Sequence, residues 1–483
     1  MAAGASSTPA TGAPAKKVLV VGAGPVGALV GLYFSYDGWD VEIYERRGDL
    51  RDAAERAAGI GKSINLALSE RGITGLRNIG DGGALLDKVL EQTIPMPARM
   101  IHSGKVGEEG DAQPYDGVFG RYIRSADRAE LSCQMLDALD ERENVKLCFG
   151  ERLVRMKLDT EDGPEAIFIK KGSGEEHKVK ADLIVGADGA FSTVRYQMQR
   201  YVKQYYEQTY IPTLWCEFTI PPTASGDFAI PPNYLHIWPK QTYMFIAIPS
   251  MDKSFTCTLF MPELMFATLT TPSDVITFFR ENFADVVELL GEESLVEQYF
   301  MNQHLPLVSI RTTPYHYKDR CVIVGDSAHA MVPFYGQGMN AGFESVRILH
   351  EHLAANPGDI RAALQQYSEF RVRDAWAIVE LAMQNYDEMR SGVTKRGYRL
   401  RKWVQESLMR WAPWLGVETL YSMVSFGNGR YSEVLRKAKM QGIVEERVMI
   451  GIVAWVVGLL GWRVGVARAA VTGAKTFWRT LRW

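Results

Sequence analysis

Four apolar residues, Val18-Leu19-Val20-Val21, run directly into Gly22-Ala23-Gly24-Pro25-Val26-Gly27, and no other feature limits the fold of this chain so tightly. A short apolar run ended by glycine reads as a buried strand. Pro25 suits a first helical turn, so the spacing predicts a helix from about Pro25 to Tyr36. Asp40-Val41-Glu42-Ile43-Tyr44-Glu45 reads as the next strand. Strand, helix and strand make the βαβ opening of a doubly wound α/β unit. In such a unit Gly22, Gly24 and Gly27 let the backbone approach a pyrophosphate. The helix N-terminus supplies free N–H groups and a positive dipole. Glu45 closes the second strand 23 positions after Gly22, where an acid accepts hydrogen bonds from a ribose. Nothing in this motif separates FAD from NAD.

The chain has 483 residues, more than one core normally serves, so two or more packed units are expected. A formal net charge of −3 gives no reason to expect a nucleic-acid partner. Five scattered cysteines, Cys133, Cys148, Cys216, Cys257 and Cys321, form no CxxC pair. That fits a reducing compartment and small buried side chains rather than a disulfide framework. Residues 1–15 hold only Ala, Gly, Ser, Thr and Pro after Met1 and are expected to lack order. No basic residue precedes an apolar core there, so the stretch is not read as a secretory signal.

From Tyr210 to Met261 the pattern is extended, with aromatic and β-branched runs at Tyr234–Trp238, Tyr243–Ile248 and Phe255–Phe260. They predict an antiparallel sheet, the first two runs joined by a turn at Trp238-Pro239-Lys240-Gln241. On both sides of this sheet lie further strand-to-turn motifs. Asp182-Leu183-Ile184-Val185-Gly186-Ala187-Asp188-Gly189 is one, and Cys321-Val322-Ile323-Val324-Gly325-Asp326 is the other. Asp326 follows its strand at the mouth of the sheet, where ligands collect in open α/β folds, and a carboxylate there can hold the hydroxyls of a ribityl chain. Beyond it, small residues in Pro333-Phe334-Tyr335-Gly336-Gln337-Gly338-Met339-Asn340-Ala341-Gly342 bring backbone N–H groups close to a flat ring, and a following helix N-terminus favours negative charge on it. His329 reads as a residue packed behind the turn. His350-Glu351-His352 lacks the spacing of a zinc helix, and no metal is expected.

Three such motifs in this order resemble those of the single-component FAD-dependent aromatic hydroxylases of the para-hydroxybenzoate hydroxylase fold. The resemblance covers about Lys17 to Asn340. It implies that Gly22, Gly24, Gly27 and Glu45 hold the ADP half of FAD, and that Asp326 holds the ribityl chain. It places Gly338, Met339 and Asn340 against the isoalloxazine and gives Asp188-Gly189 to both flavin and nicotinamide. The layout it implies is a Rossmann-like FAD-binding domain over 16–205 and 305–350, discontinuous in sequence. An antiparallel substrate domain follows over 206–304, then a helical region over 351–442 and a tail over 443–483.

Longer stretches resemble one branch of that family, whose members hydroxylate L-kynurenine. These are Gly61-Lys62-Ser63-Ile64-Asn65-Leu66-Ala67-Leu68-Ser69, Ile94-Pro95-Met96-Pro97-Ala98-Arg99-Met100-Ile101-His102-Ser103, Asn233-Tyr234-Leu235-His236-Ile237-Trp238-Pro239 and Phe334-Tyr335-Gly336-Gln337-Gly338-Met339-Asn340-Ala341-Gly342-Phe343-Glu344. The resemblance implies a substrate carboxylate held by Arg99, Tyr115, Asn385 and Tyr421. It also implies flavin contacts at Ala67, Arg128 and Leu153. Tyr115 stands in Pro114-Tyr115-Asp116, where the family usually has Pro-Tyr-Gly. The set is chemically sensible, because guanidinium is a planar bidentate donor and phenol and amide fill the remaining lone pairs. Gln337 has two readings: it reaches the substrate ketone, or it only shapes the loop. The implied reaction takes NADPH and O2 and forms 3-hydroxykynurenine through a flavin C4a-hydroperoxide. The aniline amine already enriches the ring, so no catalytic side chain is expected: the flavin carries the chemistry. Two other readings are a FAD hydroxylase acting on a phenol or benzoate, and a membrane-tethered flavin-binding scaffold without turnover.

Val448 to Trp462 is uncharged and apolar, and Arg463 to Trp483 holds five basic and no acidic residues. This predicts a C-terminal membrane anchor with basic and tryptophan residues at the interface. The family resemblance implies the mitochondrial outer membrane, with the catalytic part facing the cytosol.

Overall fold

The computed structural model describes residues 15–57, 65–392 and 396–461. The N-terminal stretch expected to lack order therefore lies outside the described residues save Ala15, as do Gly61 to Ile64 and everything from Trp462 on.

The first apolar run is the strand Lys17–Val21, at the centre of a six-stranded sheet. Across that sheet run His316–Tyr317, Cys321–Ile323, Leu183–Gly186, Lys17–Val21, Asp40–Glu45 and Val145–Phe149. All neighbours pair parallel except the edge strand His316–Tyr317. A parallel sheet is covered on both faces, which is why its strands are continuous apolar runs. Val18, Leu19 and Val20 have no exposed surface. Because Lys17–Val21, Leu183–Gly186 and Cys321–Ile323 are adjacent and parallel, the three turns that follow them emerge at one edge of the sheet.

The first two turns touch. Gly22 has φ +104°, and a Cβ there would lie 2.5 Å from the Ala187 carbonyl oxygen. A Cβ on Gly27 would lie 1.9 Å from the Gly22 carbonyl oxygen, so only glycine lets the helix Pro25–Tyr36 begin this close to its strand.

A seven-stranded sheet carries the aromatic middle of the chain. Its order is Leu305–Thr313, Tyr205–Ile220, Phe255–Pro262, Met244–Pro249, Tyr234–Pro239, Ala98–Ile101 and Asp111–Pro114. The three runs between Tyr234 and Pro262 pair antiparallel, as their patterning predicts. Ala98–Ile101 joins them in parallel beside Tyr234–Pro239. Alternation sends successive side chains to opposite faces. Phe245 and Ala247 pack with Phe279 of the helix Pro272–Asn282 and with Phe283, which follows it. Ile246 and Ile248 pack in a second core with Ile378, Leu381 and Tyr386 of the helix Ile360–Asp387.

That helix ends in a π-helical turn, Glu388–Gly392. Arg396–Trp411, Leu420–Ser425 and Tyr431–Gly461 complete the helical C-terminal region. Among the described residues no helix is long and apolar enough to cross a membrane. The spanning length expected of the tail is therefore not present among them, and the rest of the apolar and basic run lies outside the described residues.

Candidate active site

At the edge where the three turns meet, the protein is built to receive a phosphate-bearing ligand. Glu45 Oε2 accepts a hydrogen bond from the Ala23 N–H at 3.0 Å, so the acid that closes the second strand also pins the glycine turn. A Cβ on Gly24 or on Gly338 would meet no protein atom within 4 Å. Nothing within the protein demands glycine at either place, whereas a ligand lying against the backbone would. Gly338 opens the 18-residue helix Gly338–Ala355, whose first N–H groups have no intrahelical partner.

Asp326 is the single exposed residue in the run from Cys321 to Ala330. It sits in a crevice rather than on the outer surface: burial pushes its carboxyl above the usual range, with the Arg128 guanidinium opposing. Burial likewise lowers Arg128, with Asp326 opposing. The cradle thus presents a carboxylate for hydroxyls and a cation for phosphate, and the residues present fit a dinucleotide such as FAD.

Other expected cofactor residues are engaged with the protein itself. Asp188 accepts from Ser192 Oγ, Ser327 Oγ and the N–H groups of Thr193 and Val194, at 2.5 to 3.1 Å. Its carboxylate ties the second turn to the third. Asn340 accepts from the Ser69 N–H at 2.9 Å and donates to the carbonyls of Ala67 and Gly336, both at 2.7 Å. It clamps the strand Leu66–Leu68, which carries Ala67, to the loop before its helix. Met339 is buried beside it. Leu153 is packed in the nucleotide-side core. His329 has no exposed surface, shares a hydrogen bond with Ser345 Oγ at 2.9 Å and is held neutral, burial pushing it down to about 3. It is a packing residue, as its position suggests.

Tyr335, just before Gly336 and Gln337, lines a cavity of about 510 Å³. Arg99, Tyr115, Asn385 and Tyr421, which come from four separate elements, all line it. Arg99 is delivered by the strand Ala98–Ile101, Tyr115 by the turn after Asp111–Pro114, Asn385 by the last turn of Ile360–Asp387, and Tyr421 by Leu420–Ser425. The Arg99 guanidinium lies 4.9 Å from the Tyr421 ring and 5.3 Å from the Tyr115 ring, and those two rings stack at 4.5 Å. Burial raises the phenols of Tyr115 and Tyr421 above their ordinary range, so both stay O–H donors. Among the described residues Arg99 Nε and the Tyr115 hydroxyl are buried with no hydrogen-bond partner. Each such orphan costs ~1–3 kcal/mol, which an anion accepting from both would recover.

Tyr335, Glu388 and Tyr398 are among the lining residues that escaped the reading of the sequence. Arg99 Nη1 donates to Glu388 Oε1 at 3.0 Å, and the Tyr398 hydroxyl donates to the same oxygen at 2.9 Å. Burial works against the Arg99 charge, but Glu388 and then the surrounding phenols more than offset it. A helical signal existed, since Asn385 and Glu388 stand three positions apart and so share a face. Gln337 is placed differently from the first of its two readings. It lies in the wall, not among the lining residues; its Oε1 accepts from the Tyr431 hydroxyl at 2.8 Å and its Nε2 donates to Ser69 Oγ at 3.3 Å.

The family model described as FAD binding domain matches residues 15–382. Kynurenine 3-monooxygenase of Aspergillus terreus is 47% identical over 474 residues, which span 91% of this chain and 93% of that protein. Kynurenine 3-monooxygenase of Phaeosphaeria nodorum is 47% identical over 469 residues, 96% of this chain and 93% of that one. Among solved structures, PqsL, a probable FAD-dependent monooxygenase from Pseudomonas aeruginosa, matches with a TM-score of 0.62 at 17% identity, over 80% of this chain and all of its own. The tetrameric form of 2-methyl-3-hydroxypyridine-5-carboxylic acid oxygenase matches with a TM-score of 0.62 at 16% identity, over 82% and 96%. At that identity the two structures speak for the fold alone: a nucleotide-binding sheet joined to a second sheet, as described above. Identity near one half over nine-tenths of the chain speaks for more, and the chain belongs to the kynurenine 3-monooxygenase family.

Proposed function

We propose that this chain is a FAD-dependent monooxygenase that consumes NADPH and O2 and converts L-kynurenine to 3-hydroxykynurenine. The observation that carries the reading is the cavity lined by Tyr335, in the loop that leads to Gly338, in which a buried guanidinium and two phenols converge from separate elements. When bound, FAD supplies the redox chemistry, passing electrons from NADPH to oxygen. Gly22, Gly24, Gly27 and Glu45 would hold its ADP half, Arg128 and Asp326 its pyrophosphate and ribityl chain, and the first turn after Gln337 its ring.

The protein's own task is to orient and to shield. Arg99 donates its charged hydrogen bonds to the substrate carboxylate, and Tyr115, Tyr421 and Asn385 fill the remaining lone pairs. Fixing the amino-acid end orients the aromatic ring toward Gly338 and Met339. The ring carbon ortho to the amine is already electron-rich, so no side chain need remove a proton before attack. Phe334 and Tyr386, stacked at 4.1 Å in the cavity's supporting core, help to keep water out. Gln337 acts through the wall: joined to Tyr431 and Ser69, it sets the loop that leads into Gly338.

The tail beyond Arg447 is proposed as a membrane anchor, with the mitochondrial outer membrane as its site and the catalytic part in the cytosol. Its apolar run and the basic residues after it support this. Deleting the residues after Arg447 then frees the protein from membranes; unchanged pelleting contradicts the anchor. For the catalytic reading, NADPH oxidation is followed with kynurenine and with simple phenols and benzoates. Stimulation by kynurenine supports it. Stimulation by phenols or benzoates alone, or a yellow protein that never oxidises NADPH, overturns it.

A further inference from the structure

The cavity offers a second charge besides Arg99. Its lining residues include several other ionisable groups, but among the described residues none of them pairs with an opposite charge that also lines the cavity. Arg401 bonds to Glu445 at 2.7 Å, Lys439 to Glu380 at 2.8 Å and Glu418 to Lys437 at 2.7 Å. Lys402 donates to the Pro114 carbonyl, and burial lowers its ammonium. Among the described residues, Arg99–Glu388 is the one ion pair whose two members both line the cavity.

The two members are not equally buried. The Arg99 side chain is 5% exposed and Glu388 28%, so the acid is the end that the cavity can reach. Both hydrogen bonds to Glu388, from Arg99 and from Tyr398, arrive at Oε1; among the described residues none reaches Oε2. The π-helical turn that starts at Glu388 widens the backbone there, and such turns recur at functional sites. Asn385 one turn earlier keeps its Nδ2 on the Phe334 carbonyl at 2.6 Å, which fixes this end of the helix against the loop before Gly338.

An α-amino acid carries an anion and a cation one carbon apart. A cavity that presents a buried guanidinium beside an accessible carboxylate matches both. The free carboxylate oxygen can accept from the ammonium while Arg99 Nε and the Tyr115 hydroxyl take up the substrate carboxylate. We propose that Glu388, steadied by Tyr398, is the subsite for the substrate's α-ammonium group, so that the cavity selects the whole zwitterion and not only its acid. This rests on the reading of the cavity as the kynurenine site and adds a specificity residue to it. The rival role, a carboxylate that merely holds Arg99 in place, would affect every acid alike.

The test compares L-kynurenine with 4-(2-aminophenyl)-4-oxobutanoate, which lacks only the α-amine, on FAD-loaded full-length wild type, Glu388→Gln and Glu388→Asp. KM and kcat are read from product formation, and Kd from flavin fluorescence. Wild type is expected to prefer kynurenine by ~10- to 100-fold in Kd. Glu388→Gln is expected to abolish the preference while binding the desamino acid within about threefold of wild type, and Glu388→Asp to keep part of it. Equal weakening of both ligands in Glu388→Gln would overturn the proposal. So would a wild type without preference, a comparison that decides the matter alone should Glu388→Gln fail to fold. If kynurenine is not hydroxylated by wild type at all, the functional reading falls too, which separates the two failures.

Discussion

Glu344 lies between two arginines in the interior, and removing its charge should be among the most damaging single changes in the molecule. Arg371 Nη1 meets Glu344 Oε2 at 2.6 Å and Arg71 meets Oε1; the three side chains are 1%, 3% and 0% exposed. Both arginines are tied down further. Arg71 donates to the carbonyls of Val424 and Gly429 at 3.1 and 2.5 Å, and Arg371 to Ser345 Oγ and the Ala341 carbonyl at 2.9 and 2.8 Å. Their side chains and that of Glu344 are almost wholly buried. Glu344→Gln keeps the shape but leaves two buried cations without their counter-charge, a loss of ~3–5 kcal/mol. At roughly 2 °C per kcal/mol the unfolding midpoint should fall by about 6–10 °C. Differential scanning calorimetry of the FAD-loaded protein reads this. The triple change Arg71→Met/Glu344→Met/Arg371→Met should recover most of the loss, because apolar groups of similar volume require no desolvation of charge. A shift below about 2 °C in Glu344→Gln would refute the reasoning. The pH dependence has a definite sign. Burial would raise the Glu344 carboxyl, but Arg371 and then Arg71 outweigh it, and the folded value lies below the ordinary one. Its stabilisation is complete above the unfolded value of about 4.3 and is lost as pH falls through the lower folded value. Wild type should therefore show an acid-unfolding component below about pH 4 that Glu344→Gln lacks.

Gly24→Ala should leave the thermal midpoint of the flavin-free protein almost unchanged yet weaken FAD, since the new Cβ meets only open space; Gly27→Ala, whose Cβ would lie 1.9 Å from the Gly22 oxygen, should destabilise the flavin-free protein as well. Equal melting of the two variants would contradict this. Asp326→Ala should lower FAD affinity by ~10-fold or more, measured by titrating the flavin-free protein; full flavin occupancy at wild-type concentrations would remove Asp326 from the site. Arg99→Ala should raise the Kd for kynurenine by ~10- to 100-fold with flavin retained, from the loss of a charged hydrogen bond; an unchanged Kd would take Arg99 out of substrate binding. His329 is held neutral at about 3 by burial, so the unfolded chain takes up a proton first as pH drops. Its share of stability is complete above about pH 6.5 and falls below it, and His329→Asn should flatten the decline between pH 6.5 and 5. A decline as steep as wild type would show that another group is responsible.

The parts of the fold legible in the sequence are those with a local pattern. Val18 to Val21, the glycine turn and the helix Pro25–Tyr36 stand where periodicity and the glycines put them, because a buried strand and its turn are determined by near neighbours. The alternation at Phe245 to Ile248 likewise shows a strand between two cores. The entry of Ala98–Ile101 into the seven-stranded sheet had no such sign: its partner, Tyr234–Pro239, is remote, and parallel pairing leaves no hairpin turn to read. That pairing is what carries Arg99 to the cavity, so residue resemblance, not local pattern, brought Arg99, Asn385 and Tyr421 together on paper. Glu388 was missed because an acid near a helix end looks the same from sequence whether it faces solvent or a cavity. For Gln337 the sequence left substrate contact and loop shaping both open, because a polar residue beside a glycine turn does not reveal that Tyr431, far along the chain, has taken its oxygen.

The most direct test is a product count. FAD-loaded full-length protein is given NADPH and L-kynurenine in air, and hydroxylated product, hydrogen peroxide and oxidised NADPH are quantified together. A site that orients the ring and keeps water away yields 3-hydroxykynurenine nearly mole for mole with NADPH oxidised and little peroxide. NADPH consumed with peroxide as the sole oxygen product, or no flavin retained at all, would contradict the account at its centre.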